Sequence, residues 1–172
     1  MSKSLNKESL KNKIYQQETP FRITTSLAQI YWSDQWKQKV NELGLLIIKP
    51  EAIMMNKVKD ILNIVTKSGF EIVYHSHKKL TEVQVFEMWK FGWKDASIER
   101  ILINQKLFSI CNSIILVLRY KKASKLSACE IATDLKGPAL PEKRKSYQIR
   151  SQIEPLNYIL NYVHTSDETN IF

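Results

Sequence analysis

Short apolar runs alternate with helical patterns along most of the chain. Leu45-Leu46-Ile47-Ile48 is a continuous apolar run stopped by Lys49-Pro50, which predicts a strand buried on both faces. Val58, Ile61, Leu62 and Val65 then recur at helical spacing, and Ser68-Gly69 closes that helix. Phe70–Tyr74 alternates as a second strand. Thr81-Glu82-Val83-Gln84 has the form of a helix start, with Val85, Phe86, Met88 and Trp89 behind it, and a further helix is predicted from Ser97 to Phe108. Ile114–Leu118 is the clearest third strand, and Ala123–Asp134 is helix-like. Gly137–Pro155 is rich in breakers and basic residues and predicts a long loop. Tyr158–Val163 predicts a fourth strand ending at His164.

The order is β-α-β, helices, β-α, loop, β. It predicts two split βαβ units on one four-stranded antiparallel sheet, an α/β sandwich of the ferredoxin-like kind. A loop of about 19 residues without regular structure is uncommon in a compact domain, and such loops are usually functional or disordered. Residues 1–41 read as an N-terminal extension to a domain spanning 42–172. They are polar, with Pro20 as a breaker. A helix around Leu27–Val40 carries Tyr31, Trp32 and Trp36, and that many aromatics imply docking on the body or on another subunit.

Composition narrows the class. The 172 residues are 44% hydrophobic and 25% charged, as in ordinary globular domains. No apolar run approaches the roughly 20 residues of a membrane helix, and Met1–Lys13 lacks the apolar core of a secretory signal. Cys111 and Cys129 are too few for a disulfide scaffold and lack metal-ligand spacing, so buried reduced thiols and a cytoplasmic location are expected. The formal net charge is +9, and it is unevenly placed. Residues 119–150 hold nine basic and three acidic residues, whereas 151–172 hold three acidic residues and no basic ones. A basic stretch of this kind is either a solvated face or an attractor of phosphates, on nucleotides or on nucleic acid. Nucleic-acid binding ordinarily adds interleaved aromatics, and only Tyr120 and Tyr147 lie in that stretch.

The chemistry-bearing candidates gather at predicted strand ends. His164 follows the fourth apolar run, Asn161 lies three residues before it, Lys49 closes the first strand, and Arg150 sits in the basic loop. Strand ends feeding one side of a sheet are where α/β folds build sites. Lysine and arginine neutralise phosphate oxygens, and neutral imidazole is a competent nucleophile near neutral pH. A satisfied structural histidine is the competing reading of His164. No Walker A loop is present. His75 and His77 alternate on a polar strand end without an evident third ligand.

Several segments resemble the nucleoside diphosphate kinase family. Gly44–Ala52 (GLLIIKPEA) is similar to the strand carrying its Lys-Pro-Asp-Gly motif. Asn161-Tyr-Val-His164-Thr-Ser166-Asp167 resembles its Asn-x-x-His-Gly-Ser-Asp segment. Gly137-Pro-Ala-Leu-Pro141 followed by Gln-Ile-Arg150 resembles its Gly-x-x-x-Pro loop and Thr-Ile-Arg, and Cys111-Asn112-Ser113 matches Met-Asn-Ser-Gly. The resemblance runs in order over Leu43–Asp167 and looks like a divergent bacterial branch.

It implies a ping-pong phosphotransferase. His164 would accept the γ-phosphate of a nucleoside triphosphate such as ATP and pass it to a nucleoside diphosphate or a related acceptor. Lys49 and Arg150 would hold phosphate oxygens, and Asn161 would contact ribose or phosphates. Ser166 and Asp167 would support the histidine, and Trp89 or Phe91, with Trp93 nearby, would stack on the base. Mg²⁺ would arrive with the nucleotide, with no metal held by the protein, and the chain would form homo-oligomers.

The departures from the family pattern are specific. The family's phosphate-binding arginine falls at Thr133, its loop threonine at Ala139, and its post-histidine glycine at Thr165; a ring-orienting glutamate beyond the histidine is not reached by Phe172. One lost charged contact costs on the order of 1.5–3 kcal/mol, which Lys136, Lys143, Arg144 or Lys145 could offset in part. A nucleotide-binding or regulatory module without turnover is therefore the alternative. The segment from Trp89 to Asn112 is several residues longer than the family's and lies at the expected entrance.

Overall fold

The computed structural model describes residues 13–90, 92–93 and 96–166. The predicted sheet is present. Strands β1 (Leu43–Ile48), β2 (Phe70–Lys78), β3 (Ser113–Tyr120) and β4 (Val163–Thr165) form one antiparallel sheet in the order β2-β3-β1-β4. In that order β1 and β2, joined by a helical crossover, are separated by β3, the mark of a split βαβ unit.

Alternation along β1 sorts its side chains onto two layers. Leu46 and Ile48 pack in the larger core with Ile61 and Val65 of α4 (Val58–Lys67) and with Ala128, Ala132 and Leu135 of α7 (Ala128–Lys136). Ile47 faces the other way, into a smaller core with Leu80, Val85 of α5 (Glu82–Trp89) and Phe108 of α6 (Ile98–Ile110). Layers on both faces explain why β1 and β3 read as near-continuous apolar runs. Two capping boxes fix the starts of α5 and α7. Thr81 and Gln84 exchange hydrogen bonds, and so do Ser127 and Glu130.

Four expectations need correction. The fourth strand is not Tyr158–Val163 but the three residues Val163–Thr165, so His164 sits mid-strand. The apolar stretch before it is held in turns. Asn157 Oδ1 accepts from the backbone N–H groups of Ile159 and Leu160, both at 2.8 Å, and Tyr162 has φ +69°. Side-chain acceptors thus take up backbone donors that a ladder would otherwise use.

The extension is more helical than predicted. Pro20 starts α1 (Thr19–Trp32), occupying a first-turn position where its missing N–H costs nothing, and α2 (Trp36–Asn41) follows one 3₁₀ turn. Tyr31 is 78% exposed and Trp32 is also exposed, so neither docks on the described body. Lys90, at the end of α5, ties the extension down by pairing with Glu18 and lying 5.2 Å from the Tyr15 ring, and Ala28 of α1 is buried. The loop 137–155 is not structureless. It contains a 3₁₀ turn at Pro141–Lys143 and one turn of helix, α8 (Ile149–Gln152). Finally, Cys111 and Cys129 are half-buried free thiols, not fully buried ones.

Candidate active site

The β1–β4 pairing positions the central pair. Ile47 lies opposite His164, and the Lys49 N–H donates to the Tyr162 carbonyl at 2.8 Å, carrying the register past the end of β1. Lys49 is therefore two residues from Ile47 on the same face as His164. Diagonal neighbours of this kind lie about 7–8 Å apart between backbones, within reach of a long side chain. Lys49 is also the N-cap of α3 (Pro50–Met54), with Pro50 enforcing the turn. Strand end and helix start coincide there, and the lysine is carried over the edge of the smaller core, 5.9 Å from the Phe108 ring.

Lys49 is 2% exposed. Its ammonium donates to the Ile159 carbonyl at 2.8 Å and pairs with Glu51 Oε1 at 2.9 Å. Burial pulls its pKa below the ordinary 10.5. Glu51 opposes that shift, while the positive charges of Arg150 and Arg100 reinforce it. Glu51 Oε1 also accepts from the Tyr162 N–H at 3.2 Å, so the acidic residue after the Lys-Pro pair ties α3 to the approach of β4.

Arg150 is buried and fastens the basic loop to β4. Its guanidinium donates to the carbonyls of Gly137 at 2.7 Å, Asn161 at 3.3 Å and Val163 at 2.6 Å, and to Asn161 Oδ1 at 2.9 Å. Asn161 in turn donates its amide N–H to the Tyr158 carbonyl at 2.9 Å. Arg144 braces the loop from outside, donating to the carbonyls of Pro138, Ala139 and Arg150. The basic loop is thereby held in one arrangement by its own cations.

These parts enclose a cleft of about 240 Å³ lined by Lys49, Arg150, Asn161 and His164 together with Trp89, Trp93, Arg100, Asn104, Lys136, Ala139, Gly92 and Ile159. Among the described residues its lining contains four cationic side chains and no carboxylate, an arrangement that attracts anions. Among the described residues no group of three His, Cys, Asp or Glu side chains could hold a metal ion, and no helix is long and apolar enough to cross a membrane.

The structure thus brings Lys49, Arg150, Asn161, His164 and Trp89 together. Trp89 stands beside the imidazole, with ring centroids 4.8 Å apart, and is also packed on Trp93 and Phe108. Three ring neighbours leave it a wall of the cleft instead of the open platform that base stacking needs. Thr133 and Ser166 are not cleft residues. The Thr133 hydroxyl donates to the Ser166 carbonyl and meets Thr165 Oγ1, both at 3.0 Å, while Ser166 Oγ lies 3.1 Å from Cys129 Sγ. Phe91 and Asp167 lie outside the described residues.

Arg100 and Asn104 were not singled out from the sequence. The available signal was their i, i+4 spacing with Phe108 on one stripe of α6, where two polar residues interrupt an otherwise core-facing row. His75 and His77 lie far along edge strand β2 with rings 6.4 Å apart and are not part of the cleft.

Comparison with known proteins agrees with this architecture. Among solved structures, nucleoside diphosphate kinase from Encephalitozoon cuniculi superposes with a TM-score of 0.61 at 18% identity, covering 76% of this chain and 82% of that one. The nucleoside diphosphate kinase of Aquifex aeolicus gives 0.60 at 21% identity, covering 76% and 88%. Among curated proteins, no sequence matches the chain. The family model described as nucleoside diphosphate kinase matches residues 42–171, from just before β1 to beyond β4. With three-quarters of its length within that match, the chain belongs to the nucleoside diphosphate kinase family.

Proposed function

We propose that the cleft transfers a phosphoryl group between nucleotides through His164. The observation that carries this reading is the convergence of Lys49, Arg150, Asn161 and His164, drawn from distant stretches of chain, on one cleft. An unprotonated ring nitrogen of His164 attacks the γ-phosphorus of a nucleoside triphosphate. A nitrogen–phosphorus bond forms, the bond from phosphorus to the β-bridging oxygen breaks, and the nucleoside diphosphate leaves with the electron pair. A second nucleoside diphosphate attacks the phosphohistidine through its terminal oxygen and restores the free ring.

The protein's part is placement and charge. Lys49 and Arg150 neutralise phosphate oxygens as charge shifts toward the leaving group. Trp89, edge-on to the imidazole, restricts the ring's rotation. Mg²⁺ enters as part of the nucleotide substrate; the described residues of the cleft lining offer cations and amides. Pockets that swallow whole ligands run to about 300–1,000 Å³. A cleft of about 240 Å³ suits the phosphates, leaving the base at the mouth near Gly92 and Trp93. Nucleoside di- and triphosphates are the expected partners, and self-association is expected of this family.

The test is incubation with γ-labelled ATP and Mg²⁺. Acid-labile label should appear on the wild type and be absent from His164→Ala. A wild type that takes no label from any nucleoside triphosphate overturns the reading. Nucleotide binding without label would select the non-transferring module, which the placement of Thr133 and the residue Ala139 favour.

A further inference from the structure

We infer that Asn104 is a specificity residue of this cleft, its Oδ1 accepting a hydrogen bond from a sugar hydroxyl of the nucleotide. This rests on the nucleotide reading above and adds to it the group that reads the sugar. Arg100, Asn104 and Phe108 stand one turn apart on the same row of α6. Phe108 is fully buried in the smaller core, its ring 5.3 Å from that of Trp89 and 5.9 Å from the Lys49 ammonium. One turn back, about 5.4 Å along the helix axis, Asn104 lines the cleft at only 7% exposure. Its Nδ2 donates to the Arg100 carbonyl at 2.7 Å, which fixes the other end of the amide as the oxygen. Oδ1 has no partner among the described residues and is not sealed from solvent; the opening it keeps is the cleft. Amide oxygens this deep in a protein are ordinarily paired, so this one is an acceptor placed for a donor that the ligand brings.

The neighbouring acceptors are already taken. Asn161 Oδ1 holds the Arg150 guanidinium at 2.9 Å, and Asn161 Nδ2 donates to the Tyr158 carbonyl at 2.9 Å. Asn161 therefore cannot turn to a sugar without releasing Arg150. The Ile159 carbonyl takes the Lys49 ammonium, and the Ala139 carbonyl takes Arg144. A carboxamide oxygen only accepts, and phosphate oxygens accept as well, so Oδ1 of Asn104 has nothing to gain from the phosphates. A nucleotide carries donors on its base and on its sugar. With the base at the mouth near Gly92 and Trp93, the ribose hydroxyls, which donate as well as accept, are the donors carried into the cleft.

Calorimetric titration of the full chain with ADP, 2′,3′-dideoxy-ADP and pyrophosphate tests this. The wild type should bind ADP about three- to tenfold more tightly than the dideoxy nucleotide, the range for one neutral hydrogen bond. Asn104→Leu keeps the branched shape and removes the acceptor. It should bind the two nucleotides alike, through a loss for ADP alone, with dideoxy-ADP and pyrophosphate unchanged. Asn104→Ala gives a second variant without the acceptor should the leucine fail to fold. A wild type that binds ADP and dideoxy-ADP equally, or a variant that keeps the preference or weakens all three ligands together, overturns the inference and leaves the phosphotransfer reading standing. A wild type that binds neither nucleotide overturns both.

Discussion

Replacing Arg150 by methionine should unfold the site before it can reveal anything about phosphate. Methionine keeps much of the side-chain volume and removes all four hydrogen bonds that join Gly137, Asn161 and Val163. Each bond to a charged donor is worth about 1.5–3 kcal/mol in isolation. The four share one group and one network, so they do not add. Removing one partner from a buried charged network typically costs about 3–5 kcal/mol. For a chain of this size each kcal/mol shifts the midpoint by about 2–4 °C, giving a drop of roughly 6–20 °C. The assay is thermal unfolding followed by far-UV circular dichroism without nucleotide, with His164→Ala run in parallel. His164 is half-buried, and its ring contact with Trp89 is worth only about 0.5–1.5 kcal/mol. An Arg150→Met midpoint within about 2 °C of wild type would show that these bonds do not hold the loop to β4. If the drop is observed, lost activity in an Arg150 variant says little by itself about phosphate binding.

Two further outcomes are expected. Burial lowers the Lys49 pKa below 10.5, so between that lowered value and 10.5 the unfolded chain binds the proton that the folded chain has released, and apo stability rises with pH across this window. A phosphate beside Lys49, with Glu51, Arg150 and Arg100 as its charged surroundings, favours the protonated form; nucleotide binding there should take up a proton and weaken as pH rises, and calorimetry in two buffers of different ionisation enthalpy should find no such uptake for Lys49→Met. Gly137→Ala should destabilise by more than about 1–3 kcal/mol, since φ +80° with ψ 162° is a backbone region essentially reserved for glycine. Gly137 has φ +80°, and an added Cβ would lie 2.7 Å from Gln148 Oε1, which holds the Lys145 N–H; an unchanged melting temperature would refute this.

The layers of the fold were legible because they depend on periodicity. The apolar run of β1, the helical spacing of Val58, Ile61, Leu62 and Val65, and the Thr81–Gln84 cap each express a local physical constraint. The errors fell where side chains override backbone pattern. Tyr158–Val163 reads as an apolar strand, yet Asn157 and Glu51 accept the backbone N–H groups of Ile159, Leu160 and Tyr162, leaving Val163–Thr165 for the ladder. Pro20 reads as a breaker in the sequence, whereas its place at a first turn makes it a helix start.

The site divides along the same line. Lys49, Arg150, Asn161 and His164 stand at motif positions, so a one-dimensional reading finds them. Arg100 stands at no motif position and becomes part of the cleft only through the packing of α6.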